Sequence, residues 1–285
     1  FLDSTKLSAI RGRTSTYNAA LDLNKAFYAV AYESVGGKIS ITPGLYRTDD
    51  ALQLGYGTDF RQLEVMGAGS AYRGQATFGG TIIQPSFSDR PAVVVQGGRR
   101  VKISGLSLIG LNSAYISSRD LGGQSSTTDD TQLSAWIDPT LNVNANSRYA
   151  PYAGIAIDPY VGVAPSPAYP AVAYPAALGT VAQYGKVRTD TVTIDNCYIG
   201  GFVVGAVVQP CNDDGNGDFV DFSHSVFEFN AYGISAGNAQ GRNINLDSVG
   251  FRNVHTCLTN NKHGLQTGKF GGNVHGCHFD RVNQI

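Results

Sequence analysis

The run Cys211-Asn212-Asp213-Asp214-Gly215-Asn216-Gly217-Asp218 puts three carboxylates on one Gly-rich loop. Paired carboxyl groups hydrolyse glycosidic bonds, with retention when they stand about 5 Å apart and inversion at about 6.5–9.5 Å. Close carboxylates also raise one another's pKa, which keeps one protonated as the acid. Asp213, Asp214 and Asp218 are therefore candidate catalytic residues. Glu228 is a fourth, because it directly follows Phe227 on a short turn and could approach a carboxylate from a neighbouring repeat. The same oxygen-rich run, 212–218, could instead take Ca²⁺, which prefers flexible oxygen ligands. It is not an EF-hand loop, since the register fails and no Glu follows at the required spacing. A third reading is a solvated turn, because Asn, Asp and Gly are the common turn formers.

Neighbouring loops supply Arg242 and the pair Lys262-His263. These cations could clamp an anionic sugar, and an Arg or Lys could be the base of a lyase; the alternative is surface charge balancing a polar loop. Tyr160, Tyr169 and Tyr174 stand among prolines in a segment whose chain has 15 tyrosines. Aromatic faces with a polar tip suit sugar rings, and equally suit packing against a helix or a partner subunit. No cofactor is expected. The four cysteines form no CxxC and no Cys/His zinc spacing, so no metal site is expected from them. Cys197 and Cys277 fall on an inward repeat position shared with Ser225 and Val249, as small buried thiols do.

These residues are positioned by a repeat. A short apolar run recurs five times, at residues 92–95, 154–157, 205–208, 232–235 and 256–259. Each is followed by a second pattern: Ile103/Leu106/Leu108, Ile194/Cys197/Ile199, Phe222/Ser225/Phe227, Leu246/Val249/Phe251 and Val274/Cys277/Phe279. From Ile194 onward the period is 24 to 28 residues. Two short strands per unit, joined by turns and not helices, predict coils stacked into a parallel β-helix. Every link from a first strand to a second leaves from one corner. The acidic run, Arg242, Lys262-His263 and the Pro/Tyr segment all lie on such links and should flank one groove.

An amphipathic helix is expected at about residues 16–32, with Leu21, Phe27 and Val30 as apolar contacts and Thr16 or Asn18 as N-cap. Residues 1–35 thus form an N-terminal segment whose helix caps the solenoid, and 36–285 form the β-helix. A long excursion, 110–190, is split by the strand at 154–157, and its second part is Pro/Tyr-rich and extended. No closing cap precedes Ile285, so the solenoid is expected to continue beyond it in a parent chain. Asp195, His224, Asp247 and His275 lie between the second-pattern anchors and are expected to form a hydrogen-bonded ladder between coils.

The run Gly36-Gly37-Lys38-Ile39-Ser40-Ile41-Thr42-Pro43-Gly44-Leu45-Tyr46-Arg47, followed by residues 63–69, resembles the entry of pectate-lyase-like (pectin-lyase fold) proteins. It is similar in particular to that of phage tailspikes and polysaccharide depolymerases. The resemblance implies an all-β, right-handed parallel β-helix with an N-terminal capping helix. It also implies a homotrimer on a virion tail, beside other tail proteins, made in the host cytoplasm and acting outside the cell. Such a protein would recognise bacterial surface polysaccharide and could hydrolyse it. The rival readings are a non-catalytic virion spike or adhesin, and a secreted pectate-lyase-type polysaccharide lyase. A formal net charge of −1 without basic clusters gives no footprint for nucleic acid. No stretch approaches the ~20 apolar residues of a membrane span.

Overall fold

The computed structural model describes residues 4–11, 17–30, 36–54, 62–70, 80–88, 90–95, 98–111, 152–157, 189–208, 219–236, 243–260, 271–282 and 285. Two helices, α1 (Ser4–Arg11) and α2 (Ala20–Tyr28), precede the strands. The first coil contains β1 (Gly36–Ser40), β2 (Gly44–Thr48) and β3 (Leu52–Leu54), and the second β4 (Gln62–Met66), β5 (Thr81–Pro85) and β6 (Val93–Val95). The third holds β7 (Arg99–Ser104), β8 (Leu106–Ile109) and β9 (Ala153–Ile157), and the fourth β10 (Asp190–Asp195), β11 (Tyr198–Gly200) and β12 (Val204–Val208). The fifth has β13 (Val220–Ser223), β14 (Val226–Glu228) and β15 (Tyr232–Ala236). The sixth has β16 (Ile244–Asp247), β17 (Gly250–Arg252) and β18 (Thr256–Asn260), and β19 (Val274–His275) and β20 (His278–Asp280) begin a seventh.

The first, second and third strands of successive coils pair in parallel into a first, second and third sheet. A chain that returns each time to the same three sheets is a parallel β-helix, right-handed by the rule for parallel crossovers. The two-strand unit read from the sequence is therefore a three-strand coil. Its second pattern spans two strands, because the chain bends between its first and second apolar anchors.

Left-handed backbone makes the bends. Asn196, His224 and Ser248 (φ 50°, 48° and 57°) turn from the first sheet to the second, with Gly105 and Gly276 at the same position in other coils. Phe229, Asn253 and Arg281 turn from the second to the third, and Arg100, Thr191, Phe219 and Asn243 enter the first. Side chains other than Gly, Asn and Asp resist this conformation. It persists here because backbone bonds to adjacent coils hold each corner, as with Asn196 N–H to Ser223 O at 3.0 Å and His224 N–H to Asp247 O at 3.0 Å.

Inside, like residues stack. Phe227, Phe251 and Phe279 lie face to face with centroids 5.5 and 5.4 Å apart. Room for these rings comes from glycines in the third sheet: a Cβ on Gly205 would sit 2.4 Å from Phe227 Cδ1, and one on Gly233 2.7 Å from Phe251 Cε1. At the first-to-second corner Cys197, Ser225 and Val249 are all buried, and Ser225 Oγ accepts from Cys197 N–H at 3.1 Å. Burial pushes the Cys197 thiol pKa up to about 12, and Cys257 likewise. Both are free thiols.

Helix α2 covers the open edge of β3 through a buried side chain. Asn24 Nδ2 donates to Ala51 O at 2.9 Å and Asn24 Oδ1 accepts from Gln53 N–H at 2.8 Å, so one amide stands in for a missing strand. Asn18 Oδ1 accepts from Ala20 N–H at 3.0 Å and from Asp49 N–H at 3.2 Å, but the N-cap position is Ala19, which makes no side-chain capping bond, so the expected cap at Asn18 falls one residue before the helix's own. The helix buries Leu23, Asn24, Phe27 and Tyr28, whereas Leu21 is 46 % exposed. That corrects Leu21 as an apolar contact, whereas Phe27 is buried and Val30 packs against the core as expected. Helix α1, not expected from the sequence, packs beside β2, its Ile10 lying where a Cβ on Gly44 would fall.

The three sheets meet solvent differently. Every residue of β9, β12 and β15 in the third sheet is buried, so neither face of these strands is open. In the first sheet burial alternates, with Thr193, Asp221 and Asn245 outward between inward Val192, Ile194, Val220, Phe222, Ile244 and Leu246. The first sheet is thus one face a ligand could meet, and the second sheet is partly open at β14, β17 and β20.

Candidate functional site

Parallel register turns this face into columns. Thr193, Asp221 and Asn245 align across three coils, and Asn245 Nδ2 donates to Asp221 Oδ1 at 2.8 Å. Asn273 Nδ2 extends the chain by donating to Asn245 Oδ1 at 3.1 Å. The next column holds Asp195, Ser223, Asp247 and His275. Ser223 Oγ and His224 Nδ1 lie 2.9 and 3.1 Å from Asp195 Oδ1, and His275 Nδ1 lies 3.2 Å from Asp247 Oδ1. The expected ladder among Asp195, His224, Asp247 and His275 is present. Burial opposes ionisation of Asp195, but His224, Ser223 and the Lys102 charge together hold its carboxyl below the ordinary range. His275 and Ser248 do the same for exposed Asp247.

Beyond the corner, on the outer side of the second sheet, a cleft of ≈ 530 Å³ opens. Gly250 stands in register between Val226 and His278, and its missing side chain leaves the floor open. His224, Ser248, Arg252, His278 and Asp280 contribute to the wall. Arg252 Nε lies 3.7 Å from Asp280 Oδ2, an exposed ion pair at the rim. Donors, an acceptor and two imidazoles around a small-residue floor are the chemistry of a polar-ligand site.

Of the sequence-derived site residues, only Glu228 lies within the described structure. It is 8 % exposed, aligned with Gly200 on one side and Arg252 on the other, and accepts from Asn253 Nδ2 at 3.3 Å. The column's next carboxylate, Asp280, is two coils away. Asp213, Asp214, Asp218, Arg242, Lys262, His263, Tyr160, Tyr169 and Tyr174 lie outside the described residues, as does the 212–218 run considered for Ca²⁺. Among the described residues no group of three or more His, Cys, Asp or Glu could hold a metal ion. Sequence reasoning missed Gly250, His278 and Asp280. The signal was available: the residues flanking each unit's last inward apolar residue (Ile199, Phe227, Phe251, Phe279) align into the two columns that build the cleft.

No family model and no curated protein matches the chain. Solved structures similar to the chain include the following two. One is a candidate glycosyl hydrolase from Parabacteroides merdae, at 12% identity and a TM-score of 0.42, covering 94% of this chain and 89% of that one. The other is the catalytic unit of a thermostable GH87 alpha-1,3-glucanase from Streptomyces thermodiastaticus. It is 14% identical with a TM-score of 0.34, and the match covers 94% of this chain and 45% of the glucanase unit.

Proposed function

We propose that this β-helix recognises polysaccharide along the outer face of its first sheet and in the adjoining cleft, as a receptor-binding spike of the tailspike kind. The observation that carries the reading is the cleft over Gly250, ringed by His224, Arg252, His278 and Asp280 beside columns of amides, hydroxyls and carboxylates. Coils repeat at about 4.8 Å, so these groups form a rigid lattice of donors and acceptors that a linear chain of sugars can track without ordering flexible loops. Bacterial surface polysaccharide is the substrate class the entry motif's resemblance implies, and the homotrimeric virion setting belongs to the same proposal.

The test is binding of purified O-antigen and capsular polysaccharides to immobilised protein. Wild type should bind at least one, and Arg252→Ala and His278→Ala should each weaken it about tenfold, as expected when a hydrogen bond to the ligand is lost. If no polysaccharide binds, or both variants bind as wild type, the reading fails. Release of reducing ends from the bound polysaccharide would add hydrolysis, and absorbance of an unsaturated product would instead mark a lyase. Loss of that release in Asp213→Asn, Asp214→Asn or Asp218→Asn would assign the acidic loop its acid–base role.

A further inference from the structure

We infer that Phe219 is a sugar-stacking platform at the far edge of the same face, so that the bound chain crosses the first sheet between Phe219 and the cleft; this rests on the polysaccharide reading above. Phe219 carries two costs. Its φ is 59°, a conformation a bulky side chain adopts only under constraint. The residue is also 50 % exposed, so half of a large apolar side chain stays in water. The same corner position in the neighbouring coils holds Thr191 and Asn243, at φ 55° and 59°. Asn is the residue such a corner favours, so backbone geometry alone does not call for Phe.

What the position does provide is an aromatic on an anchored backbone. Phe219 O accepts from Val192 N–H at 3.0 Å, and the next residue's amide, Val220 N–H, donates to Asn243 O at 3.1 Å; the backbone under the ring is therefore held from both adjacent coils. An aromatic face on an anchored backbone, with the Thr191 hydroxyl and the Asn243 amide at the equivalent corners of the adjacent coils, is a combination that suits a pyranose: the ring covers the CH-rich face while polar neighbours take the hydroxyls. Phe219 and His224 bracket β13, so the platform and the cleft wall lie about 16 Å apart at the rise of an extended strand. An oligosaccharide crossing the strand meets Asp221, Ser223 and their column neighbours between them.

The experiment compares Phe219→Asn and Phe219→Tyr with wild type, using a polysaccharide that wild type binds. Phe219→Asn should weaken binding about three- to tenfold, within the worth of an aromatic contact. Its melting temperature should stay level or rise, because Asn tolerates the corner. Phe219→Tyr should bind as wild type. Unchanged binding by Phe219→Asn would overturn the inference while leaving the polysaccharide reading intact; no binding by wild type would overturn both. A melting temperature lowered by several degrees would make the ring a packing residue, and a changed oligomeric mass would place it at a subunit contact. Either result also overturns the platform.

Discussion

Asp195 illustrates how a single side chain serves the stack. It accepts from Ser223 and His224, both on the following coil, and its pKa is lowered in the folded state. A depressed carboxylate contributes stability that is complete above its unfolded value and lost as pH falls through the folded one. The contribution should therefore be present at neutral pH and decline progressively as pH falls from about 4 through the lower folded value. Urea unfolding between pH 2 and 7 should show Asp195→Asn less stable than wild type at pH 7, with the two curves converging in acid; parallel curves would contradict the assignment. Thiols give a second residue-scale expectation. Burial raises Cys197 and Cys257 to about 12, so iodoacetamide at pH 8 should leave both unmodified in the native protein and alkylate both in denaturant. The equivalence of Cys197, Ser225 and Val249 was legible from spacing alone. Hydrogen bonding at Asp195 was foreseen as a ladder, but its partners depend on which atoms the corner brings within reach.

Glycines distinguish the elements. Gly205 lies under the Phe227 ring, where an added Cβ would fall 2.4 Å from Cδ1 and 2.7 Å from Gly233 O. Gly205→Ala should destabilise by about 1–3 kcal/mol, the usual cost of overpacking a core. Gly250 is the opposite case: an added Cβ would meet only Val226 Cγ2, at an ordinary 3.6 Å. Gly250→Leu should keep the wild-type melting temperature while filling the cleft floor and weakening polysaccharide binding about tenfold or more. A variant that melts early, or binds normally, would remove Gly250 from the site. Nothing in the sequence separates these two glycines, because both follow or precede apolar residues in a strand-like run. Their difference lies in whether the missing Cβ points at a ring or at solvent.

At the scale of the molecule, stability is a sum over coils and their interfaces. The corners before Val220 and Ile244 are equivalent, both left-handed and both followed by a strand of the first sheet. Deleting residues 220–243 removes β13, β14 and β15 and brings β16 into the register of β13. The shortened chain should remain folded, with β circular dichroism and a lower unfolding midpoint; an unfolded product would show that the coils are not interchangeable. The repeat, its period, the inward thiols, the capping helix and the parallel β-helix itself were determined by sequence, because a stacked fold writes each inward position into the chain once per coil. The third strand per coil, the hidden outer face of the third sheet and the cleft over Gly250 were decided only by tertiary structure. Corners bend at single left-handed residues that carry no hydropathy signal, and a cleft is made where residues 24 to 28 positions apart happen to leave a side chain out.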